Sequence, residues 1–594
     1  MSEKAKGLIP SGIERPAGGV PSGGARYGSD VAAETLRALD IPFIALNPGS
    51  SYRGLHDSIV NHLGNERPRM LVCLHEESAV ALAHGWAKVT GRPMAAAVHS
   101  NVGLLHATMA VFNAWCDRVP LLLLGATGPV DAPKRRPWID WIHTAQDQGA
   151  LLRNYVKWDA QPASPGAARE ALARAVWMAG TAPMGPVYVN FDAGMQEAAL
   201  IEPLPPLDVA RFRPRPDGGV SAAAIAEAVA LLREARAPMI LMGRVNRSTT
   251  AWAERLALAE TLHALVATDI KAGAAFPTDH VLHVGQPATF PGPDLTAALA
   301  EADVILSLDW IDLGGTLGTC PGGMPDGRVI QVSLDHHLHN GWSMDHQAFP
   351  PVDLLLEGSP DAVVSDLVRA LGIIVPPFQE TVSPFAALPP GSGTISVGRL
   401  AHDLRIAVGE GPVSLLHLPL AWNAADWPFS HPLEHLGQAG GAGLGAGPGI
   451  AVGAALALAG TDRLPVAVLG DGDYLMGVTA LWTAAHYRIP LLVVVANNRS
   501  FYNDEVHQER VARARNRPVE NKWIGQRLSD PDIDLAAMGQ AQGAIGFGPV
   551  TDAADLPDVL ADAVAAVRAG AVAVVDVRVL PGYGPAMTRA TEGG

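Results

Sequence analysis

The chain has 594 residues and a formal net charge of −16, from 43 Lys and Arg against 59 Asp and Glu. An acidic chain without a basic block binds a nucleic-acid phosphate backbone poorly, so we expect no nucleic-acid partner. Hydrophobic residues make up 48% of the chain and charged residues 17%, which excludes a disordered chain and predicts several folded domains.

The first block of the chain predicts a parallel sheet. Residues 1–26, rich in glycine and proline, are expected to form a flexible arm. In residues 27–199, short apolar runs alternate with amphipathic stretches. Residues 41–46, 94–98, 120–124 and 186–189 are predicted strands, and residues 78–89 are a predicted helix. This alternation is typical of parallel strands covered by helices.

Two further blocks repeat the pattern after proline-rich linkers. Residues 219–371 contain predicted strands at 238–242, 303–308 and 329–334. Residues 394–585 contain predicted strands at 464–469, 490–495 and 571–579. The expected fold class is therefore α/β, with three doubly wound parallel-sheet domains.

One uncharged stretch has the length of a membrane span. Residues 439–460 carry no charge over 22 residues, but eight of these residues are glycine. Because glycine disfavours helix, we expect a close-packed turn and a buried helix, and no membrane partner. The three cysteines form no CxxC pair, and the N-terminal residues lack an apolar leader run. We therefore expect a cytoplasmic protein without disulfides.

Polar side chains follow two successive predicted strands of the third block. Gly470-Asp471-Gly472 ends the first strand, and Asn497-Asn498 ends the next, with 24 residues between the two motifs. The carboxyl ends of parallel strands are where ligands bind in such sheets, and glycines let a phosphate approach the backbone. Carboxylate and amide oxygens suit Mg²⁺, which shares its ligand shell with phosphates. The residues thus predict a diphosphate with a divalent metal.

This GDG…NN pattern resembles the signature of thiamine-diphosphate enzymes. The resemblance implies that the three blocks are a pyrimidine-binding, a Rossmann-like central and a diphosphate-binding domain. It also implies that Asp471, Asn498 and the Ser500 carbonyl bind Mg²⁺, and that Gly470 and Gly472 contact the cofactor. Asp473 is counted with these cofactor-binding residues, although relatives often carry a small residue there.

Two further segments complete the implied cofactor site. Residues 71–80 contain His75-Glu76-Glu77 after an apolar run, which resembles the HExxA segment of acetolactate synthases and benzoylformate decarboxylases. By this resemblance Glu76 activates the cofactor, and an apolar pocket would raise the pKa of such a carboxylate. In the glycine-rich run 440–448, Leu444 would support the bent cofactor. The Ala442 carbonyl would accept a hydrogen bond from the cofactor's amine.

The substrate residues also come from the resemblance. Asn47-Pro-Gly-Ser50 is similar to the NPGS turn of benzoylformate decarboxylases, and Ser50 would bind the substrate carboxylate. Val98-His99-Ser100 is similar to their LHS stretch, and His99 would be the catalytic histidine. Members of that subfamily place a second active-site histidine after a central-domain strand. Residues 307–312 contain no histidine, which argues against benzoylformate itself as the substrate.

The expected function is non-oxidative decarboxylation of a 2-oxo acid or a related carbonyl compound, with possible carboligation. The alternatives are an acetolactate-synthase-like carboligase, a 2-hydroxyacyl-CoA lyase and an inactive cofactor-binding regulatory protein. The expected cofactors are thiamine diphosphate and Mg²⁺. FAD stays open because some relatives hold it, although no GxGxxG supports it. The resemblance implies a homodimer or homotetramer with its site between subunits.

Overall fold

A computed structural model describes residues 9–10, 12–17, 23–205, 207–212, 219–338, 349–380, 388–389 and 391–582. Its strands, in chain order, are β1 (Phe43–Leu46), β2 (Arg69–Val72), β3 (Met94–Val98), β4 (Leu121–Thr127), β5 (Asp159–Ala160), β6 (Pro186–Asp192), β7 (Pro238–Met242), β8 (Leu265–Thr268), β9 (Val304–Leu308), β10 (Arg328–Val332), β11 (Leu354–Leu356), β12 (Val413–His417), β13 (Leu464–Gly470), β14 (Leu491–Asn497), β15 (Ile545–Val550) and β16 (Val572–Arg578).

The α-helices, in chain order, are α1 (Gly28–Ala38), α2 (Arg53–Asp57), α3 (Glu76–Thr90), α4 (Ser100–Cys116), α5 (Pro165–Gly180), α6 (Ala193–Glu197), α7 (Ala222–Glu234), α8 (Thr249–Leu262), α9 (Pro293–Glu301), α10 (Leu313–Gly318), α11 (Pro360–Leu371), α12 (Val397–Val408), α13 (Ala446–Leu458), α14 (Asp471–Gly477), α15 (Ala480–Tyr487), α16 (Tyr502–Ala514), α17 (Leu535–Ala541) and α18 (Leu556–Arg568). Short 3₁₀ turns and one π-helical turn, Ser58–His62, connect some of these elements.

The strands form three all-parallel sheets. The strand orders are β2-β1-β3-β4-β6-β5, β11-β10-β9-β7-β8 and β12-β13-β14-β16-β15. Their central strands are continuously apolar and buried, as expected for parallel strands with helices on both faces. The expected α/β class with three parallel-sheet domains is confirmed.

The chain divides into two units. The first contains the first sheet and comprises residues 1–216, 439–461 and 477–490. It includes α13 and α15, which come from the region around the predicted diphosphate motif. Tyr487 of α15 ties this segment to the first sheet, because its hydroxyl accepts a hydrogen bond from the Val72 backbone N–H at 2.9 Å.

The second unit contains the second and third sheets and comprises residues 217–438, 462–476 and 491–594. Each sheet in this unit has its own buried apolar layers. The Arg247 guanidinium joins loops from the two sheets, because it donates to the carbonyls of Ala274 and Ala272 at 2.9 and 2.7 Å and to the Leu436 carbonyl at 3.3 Å.

Much of the predicted arm, residues 1–8, 11 and 18–22, lies outside the described residues. The described residues nearby contact the first unit. Ile9 is buried, and the Arg69 guanidinium of β2 donates to the carbonyls of Pro10 and Ile13 at 3.3 and 2.5 Å. This part of the N-terminal segment is therefore attached to the first sheet.

The glycine-rich stretch forms a loop and a buried helix, α13. Gly445, with φ of 100°, precedes the helix, which ends at Leu458. Among the described helices, none is long and apolar enough to cross a membrane.

Candidate active site

The predicted diphosphate motif lies at the carboxyl edge of the third sheet. β13 and β14 are parallel neighbours, and Gly470 pairs with Ala496. Asp471 and Asn498 therefore follow the ends of adjacent strands. The Asp471 side chain is buried, with the residue only 5% exposed, and it begins α14.

The side-chain oxygens of Asp471 and Asn498 converge on one backbone amide. The Ser500 N–H donates to Asp471 Oδ2 at 3.2 Å and to Asn498 Oδ1 at 2.9 Å. Asp471 Oδ1 also accepts the Gly472 N–H at 2.8 Å. Burial raises the pKa of Asp471, although these amide donors favour its charged form. A cation beside this carboxylate would offset the cost of burial.

The surroundings of these oxygens fit a divalent cation and a phosphate. A carboxylate and an amide oxygen are ligands that Mg²⁺ accepts. A Cβ on Gly470 would meet no atom within 4 Å, so there is open space beside the strand end. A Cβ on Gly472 would lie 2.5 Å from the Phe501 ring, so glycine is required there for packing. Asp473 is buried in the first turn of α14.

The segment after Ser500 is structured. The Ser500 hydroxyl donates to Glu505 Oε1 at 2.6 Å, which attaches the strand end to α16. The chain then returns, and Ser500 forms an antiparallel bridge with Arg527. Residues 499–528 thus form a long loop that contains α16. The two ends of this loop lie next to each other beside Asn497-Asn498.

Glu76 lies in the first unit, at the start of α3. His75 caps this helix, because its Nδ1 accepts the Glu77 N–H at 3.1 Å. The Glu76 side chain is 13% exposed. Burial, and then the charge of Glu76, raise the pKa of the Tyr52 hydroxyl. The carboxylate therefore lies in a largely desolvated place at the end of β2.

Gly103 brings Glu76 and His99 to the same place. A Cβ on Gly103 would lie 3.1 Å from Glu76 Oε1 and 3.5 Å from His99 Cβ. This glycine of α4 thus leaves space for the carboxylate. The first unit therefore places two of the predicted catalytic residues side by side, at the carboxyl edge of the first sheet.

His99 is held by the turn that resembles NPGS. A Cβ on Gly49 would lie 2.2 Å from His99 Cβ, so only glycine permits this approach. His99 Nδ1 lies 2.8 Å from the Ser51 hydroxyl, and His99 Nε2 lies 3.3 Å from His143 Nδ1. Burial, followed by His143 and Arg136, lowers the pKa of His99 to about 4.

The contact with His99 is made by Ser51, whereas the sequence singled out Ser50. Ser51 is 3% exposed, while Ser50 is exposed and its carbonyl accepts a hydrogen bond from Arg53 at 2.9 Å. Both serines belong to one 3₁₀ turn, Ser50–Tyr52. The 3₁₀ turn decides which of the two serines contacts His99, and the sequence motif alone does not reveal this turn.

Three other histidines were missed by the sequence reasoning. His143 contacts His99, and His75 stacks on His106 with ring centroids 5.1 Å apart. The Nδ1 atom of His106 lies 3.4 Å from Glu76 Oε2. The one available signal was the position of His75 directly before Glu76.

The glycine-rich loop that carries Ala442 and Leu444 packs against α4. A Cβ on Gly441 or Gly443 would lie 2.6 Å from Phe112 or 2.2 Å from Met109, respectively. These glycines therefore serve helix packing, in addition to any space they leave for a ligand. Ala442 has a φ of 52°, and Leu444 is 48% exposed.

The central sheet carries a buried ionic cluster where the sequence lacks the second histidine. Arg244 lies 2.8 Å from Asp309 and 2.6 Å from Asp335. Asp309 and Asp312 both adopt positive φ, at 50° and 55°. This edge of the second sheet is therefore built from carboxylates and a guanidinium.

Comparisons with known proteins show which family this chain is similar to. Three family models match: the N-terminal TPP binding domain (residues 26–151), the central domain (225–345) and the C-terminal TPP binding domain (419–577) of thiamine pyrophosphate enzymes. Benzoylformate decarboxylase of Pseudomonas aeruginosa is 26% identical over 73% of this chain and 79% of its own length. A probable acetolactate synthase large subunit of Methanocaldococcus jannaschii is 24% identical over 87% of this chain and 86% of its own.

Solved structures share the fold. The crystal structure of benzoylformate decarboxylase from Polynucleobacter necessarius superposes with a TM-score of 0.77 at 22% identity, covering 94% of this chain and all of that chain.

Proposed function

Because the chain belongs to the thiamine pyrophosphate enzyme family, in its decarboxylase and carboligase group, we propose that it decarboxylates a 2-oxo acid without oxidation. One observation carries the proposal: Glu76 and His99 lie side by side around Gly103. A desolvated carboxylate and a neutral imidazole are the groups that cofactor activation and proton transfer require.

Asp471, Asn498 and the Ser500 backbone carbonyl would hold Mg²⁺. The convergence of the first two side chains on the Ser500 amide supports this assignment. Gly470 and Gly472 would bring the backbone close to the diphosphate, and the open space at Gly470 supports this. Asp473, buried beside them, completes the proposed cofactor-binding set.

Thiamine diphosphate supplies an electron sink for the electrons released as CO₂ leaves. Glu76 would hold and exchange a proton with the aminopyrimidine ring. Leu444 would support the cofactor from below, and the Ala442 carbonyl would accept from its amine. Because the Glu76 side chain is only 13% exposed, water has little access to its carboxylate.

His99 would serve the proton transfers at the substrate. Its imidazole is neutral near pH 7, because burial lowers its pKa to about 4. The exposed Ser50 would donate its hydroxyl to the substrate carboxylate. The turn that carries Ser50 is fixed to His99 through Ser51, so both substrate contacts would move together.

Carbon dioxide release from a panel of 2-oxo acids, with thiamine diphosphate and Mg²⁺, tests the proposal, with products identified by mass. An aldehyde of one carbon fewer is expected. If no acid of the panel releases CO₂ while the cofactor is bound, the proposal is contradicted. That result would favour either 2-hydroxyacyl-CoA cleavage or an inactive regulatory protein.

Carboligation is the second candidate. The similarity to an acetolactate synthase over 87% of the chain favours it. In that case the product carbon would add to a second carbonyl compound, and a hydroxyketone would replace the aldehyde. The same product analysis distinguishes the two outcomes.

We further propose that the enzyme is a cytoplasmic homodimer or homotetramer in which each site combines residues from two chains. Glu76→Gln would then inactivate the part of each site that one chain supplies, and Asp471→Asn would inactivate the part that the other chain supplies. Mixing the two inactive variants through dissociation and reassociation should restore up to about a quarter of the wild-type activity, because some hybrid sites escape both changes. Failure of active hybrids to appear, with hybrid assembly shown by mass, would contradict the shared site.

A further inference from the structure

Two histidines and a glutamate meet at the carboxyl edge of the second sheet. His336 and His337 lie in a 3₁₀ turn, Asp335–His337, that follows β10, and Glu357 comes directly after β11. β10 and β11 are parallel neighbours in the sheet. The ends of these two strands therefore bring the three side chains to one place.

Both imidazoles direct the same ring nitrogen at one carboxylate oxygen. Nε2 of His336 lies 2.8 Å from Glu357 Oε1, and Nε2 of His337 lies 3.3 Å from the same oxygen. The two rings are nearly perpendicular, at 81°, with centroids 4.4 Å apart. The three side chains are 37%, 49% and 58% exposed, so an ion can reach them from solvent. Imidazole nitrogens and a carboxylate oxygen are ligands that Zn²⁺ binds.

The distances between these atoms fit a tetrahedral ion. Zn²⁺ binds imidazole and carboxylate at about 2.0–2.2 Å, which places its ligand atoms about 3.3 Å apart. The His337 contact has this length, and the His336 contact has to lengthen by about half an ångström. Because exposed ion pairs contribute little to stability, replacing them with bonds to a metal costs little. Water fills the fourth position of such a site.

The backbone that carries the histidines is fixed without an ion. The Ser333 N–H donates to the Leu356 carbonyl at 3.3 Å, and this bond joins the ends of the two strands. Asp335, the first residue of the 3₁₀ turn, is buried, and its carboxylate lies 2.6 Å from Arg244. Metal binding therefore has to order only the side chains, which keeps its entropic cost low.

We propose that His336, His337 and Glu357 form a binding site for a divalent transition-metal ion such as Zn²⁺. Imidazole nitrogen suits Zn²⁺, whereas Mg²⁺ prefers oxygen ligands and retains its water, so this site differs in chemistry from the proposed Mg²⁺ site. The ion joins the end of β10 to the end of β11. The site is independent of the proposed function, because none of its three residues belongs to the proposed catalytic or cofactor-binding set.

Among the described residues, one other group of similar composition comes together, formed by His75, Glu76 and His106. There the two rings stack, with an interplanar angle of 15° and centroids 5.1 Å apart. Nearly parallel rings direct their lone pairs side by side, so both cannot face one ion without rearranging. That group also contains the proposed catalytic carboxylate. The perpendicular rings at Glu357 are therefore the better arrangement for a metal.

Calorimetric titration of the holoenzyme with ZnCl₂ tests the proposal. Thiamine diphosphate and excess Mg²⁺ are kept present, so that the proposed Mg²⁺ site is filled. We expect the wild type to bind one Zn²⁺ per chain at micromolar concentrations. His337→Asn and Glu357→Gln should each weaken this binding by at least about tenfold, because even a group that only orients a metal ligand contributes about 10–100-fold to affinity.

His263→Asn is the matched control, because His263 is an exposed histidine of the same unit outside these contacts. Its φ is 49°, a conformation that asparagine tolerates, so this variant should bind Zn²⁺ like the wild type. Thiamine diphosphate binding, followed by tryptophan fluorescence, checks the folding of each variant. His336→Asn replaces His337→Asn if the latter does not bind the cofactor.

Three results would overturn the proposal. The first is a wild type that shows no saturable Zn²⁺ binding. The second is a set of folded His337→Asn and Glu357→Gln variants that bind Zn²⁺ as tightly as the wild type. The third is loss of the bound Zn²⁺ in His106→Asn while His337→Asn retains it, because that result would place the ion beside Glu76.

Discussion

Asp471 places a carboxylate in a buried position directly after β13. Its carboxylate is buried and accepts backbone amides, and burial raises its pKa. Burying an ionised carboxylate is costly unless it is paired or binds a metal. Mg²⁺ would supply the missing charge, with Asn498 contributing a second oxygen.

Asp471→Asn should weaken the metal site without removing an oxygen ligand. The Mg²⁺ concentration for half-maximal thiamine diphosphate binding should rise by at least about tenfold, because the amide lacks the charge. Titration of cofactor binding by tryptophan fluorescence measures this, and EDTA should release the cofactor from the wild type. Asp462→Asn, at an exposed turn before β13, is the control. Equal Mg²⁺ requirements for all three proteins would contradict the assignment.

Residues at strand ends were predictable from the sequence, whereas contacts between loops were not. Asp471 and Asn498 follow apolar runs, and parallel strands bring such ends to one edge. The contacts of His99 with Ser51 and His143 join residues 48 and 44 positions apart. No spacing rule connects these loops, because their positions depend on how the chain packs around Gly49 and Gly103.

At the scale of elements, α3 and α13 cross in close contact within the first unit. A Cβ on Gly85 would lie 2.0 Å from the Ile450 carbonyl, and a Cβ on Gly453 would lie 1.8 Å from the Leu82 carbonyl. Backbone meets backbone at both places, so neither helix can yield by changing a rotamer. This crossing also positions the start of α3, which carries Glu76.

Gly453→Ala should destabilise the protein by about 1–3 kcal/mol, because the added methyl group forces the two helices apart. Gly166→Ala is the matched control. A Cβ on Gly166, in α5, would meet nothing within 4 Å, so alanine there should be neutral or stabilising by up to about 1 kcal/mol. Denaturant unfolding measures both. Equal stability of Gly453→Ala and the wild type would contradict the close backbone contact between α3 and α13.

Apolar runs predicted the strands well, since residues 94–98 and 238–242 match β3 and β7. Between β13 and β14 the chain forms two helices, because α14 ends at Gly477 and α15 begins at Ala480. A Cβ on Gly477 would lie 2.2 Å from the Gly445 carbonyl. The break between α14 and α15 follows from this contact between Gly477 and Gly445. The hydrophobic periodicity of the sequence carries no information about such a contact.

At the scale of the whole molecule, histidines with lowered pKa values link stability to pH. His283 is an example from the second unit: its Nδ1 faces the Gly285 carbonyl at 3.2 Å, and its Nε2 faces the Thr268 hydroxyl at 3.0 Å. Burial lowers its pKa from 6.5 to about 4. Burial likewise lowers the pKa of His431 to about 4.

These histidines should make the protein sensitive to acid. Between pH 6.5 and about 4 the unfolded chain binds protons that the folded chain does not, so stability falls as the pH drops through this window. His283→Gln should show a shallower fall in Tm over the same window, and the exposed His56→Gln should follow the wild type. Identical slopes for His283→Gln and the wild type would contradict a neutral His283 in the folded protein.

The central claim is that Glu76 activates thiamine diphosphate, and it is testable without knowing the substrate. The measurement is hydrogen–deuterium exchange at the reactive thiazolium carbon of the bound cofactor, followed by NMR after acid quench. Exchange in Glu76→Gln should be at least about 100-fold slower than in the wild type, because the amide cannot relay the proton. Glu77→Gln, one residue along α3, should exchange like the wild type. Equal exchange rates in Glu76→Gln and the wild type, with cofactor bound to both, would contradict the account.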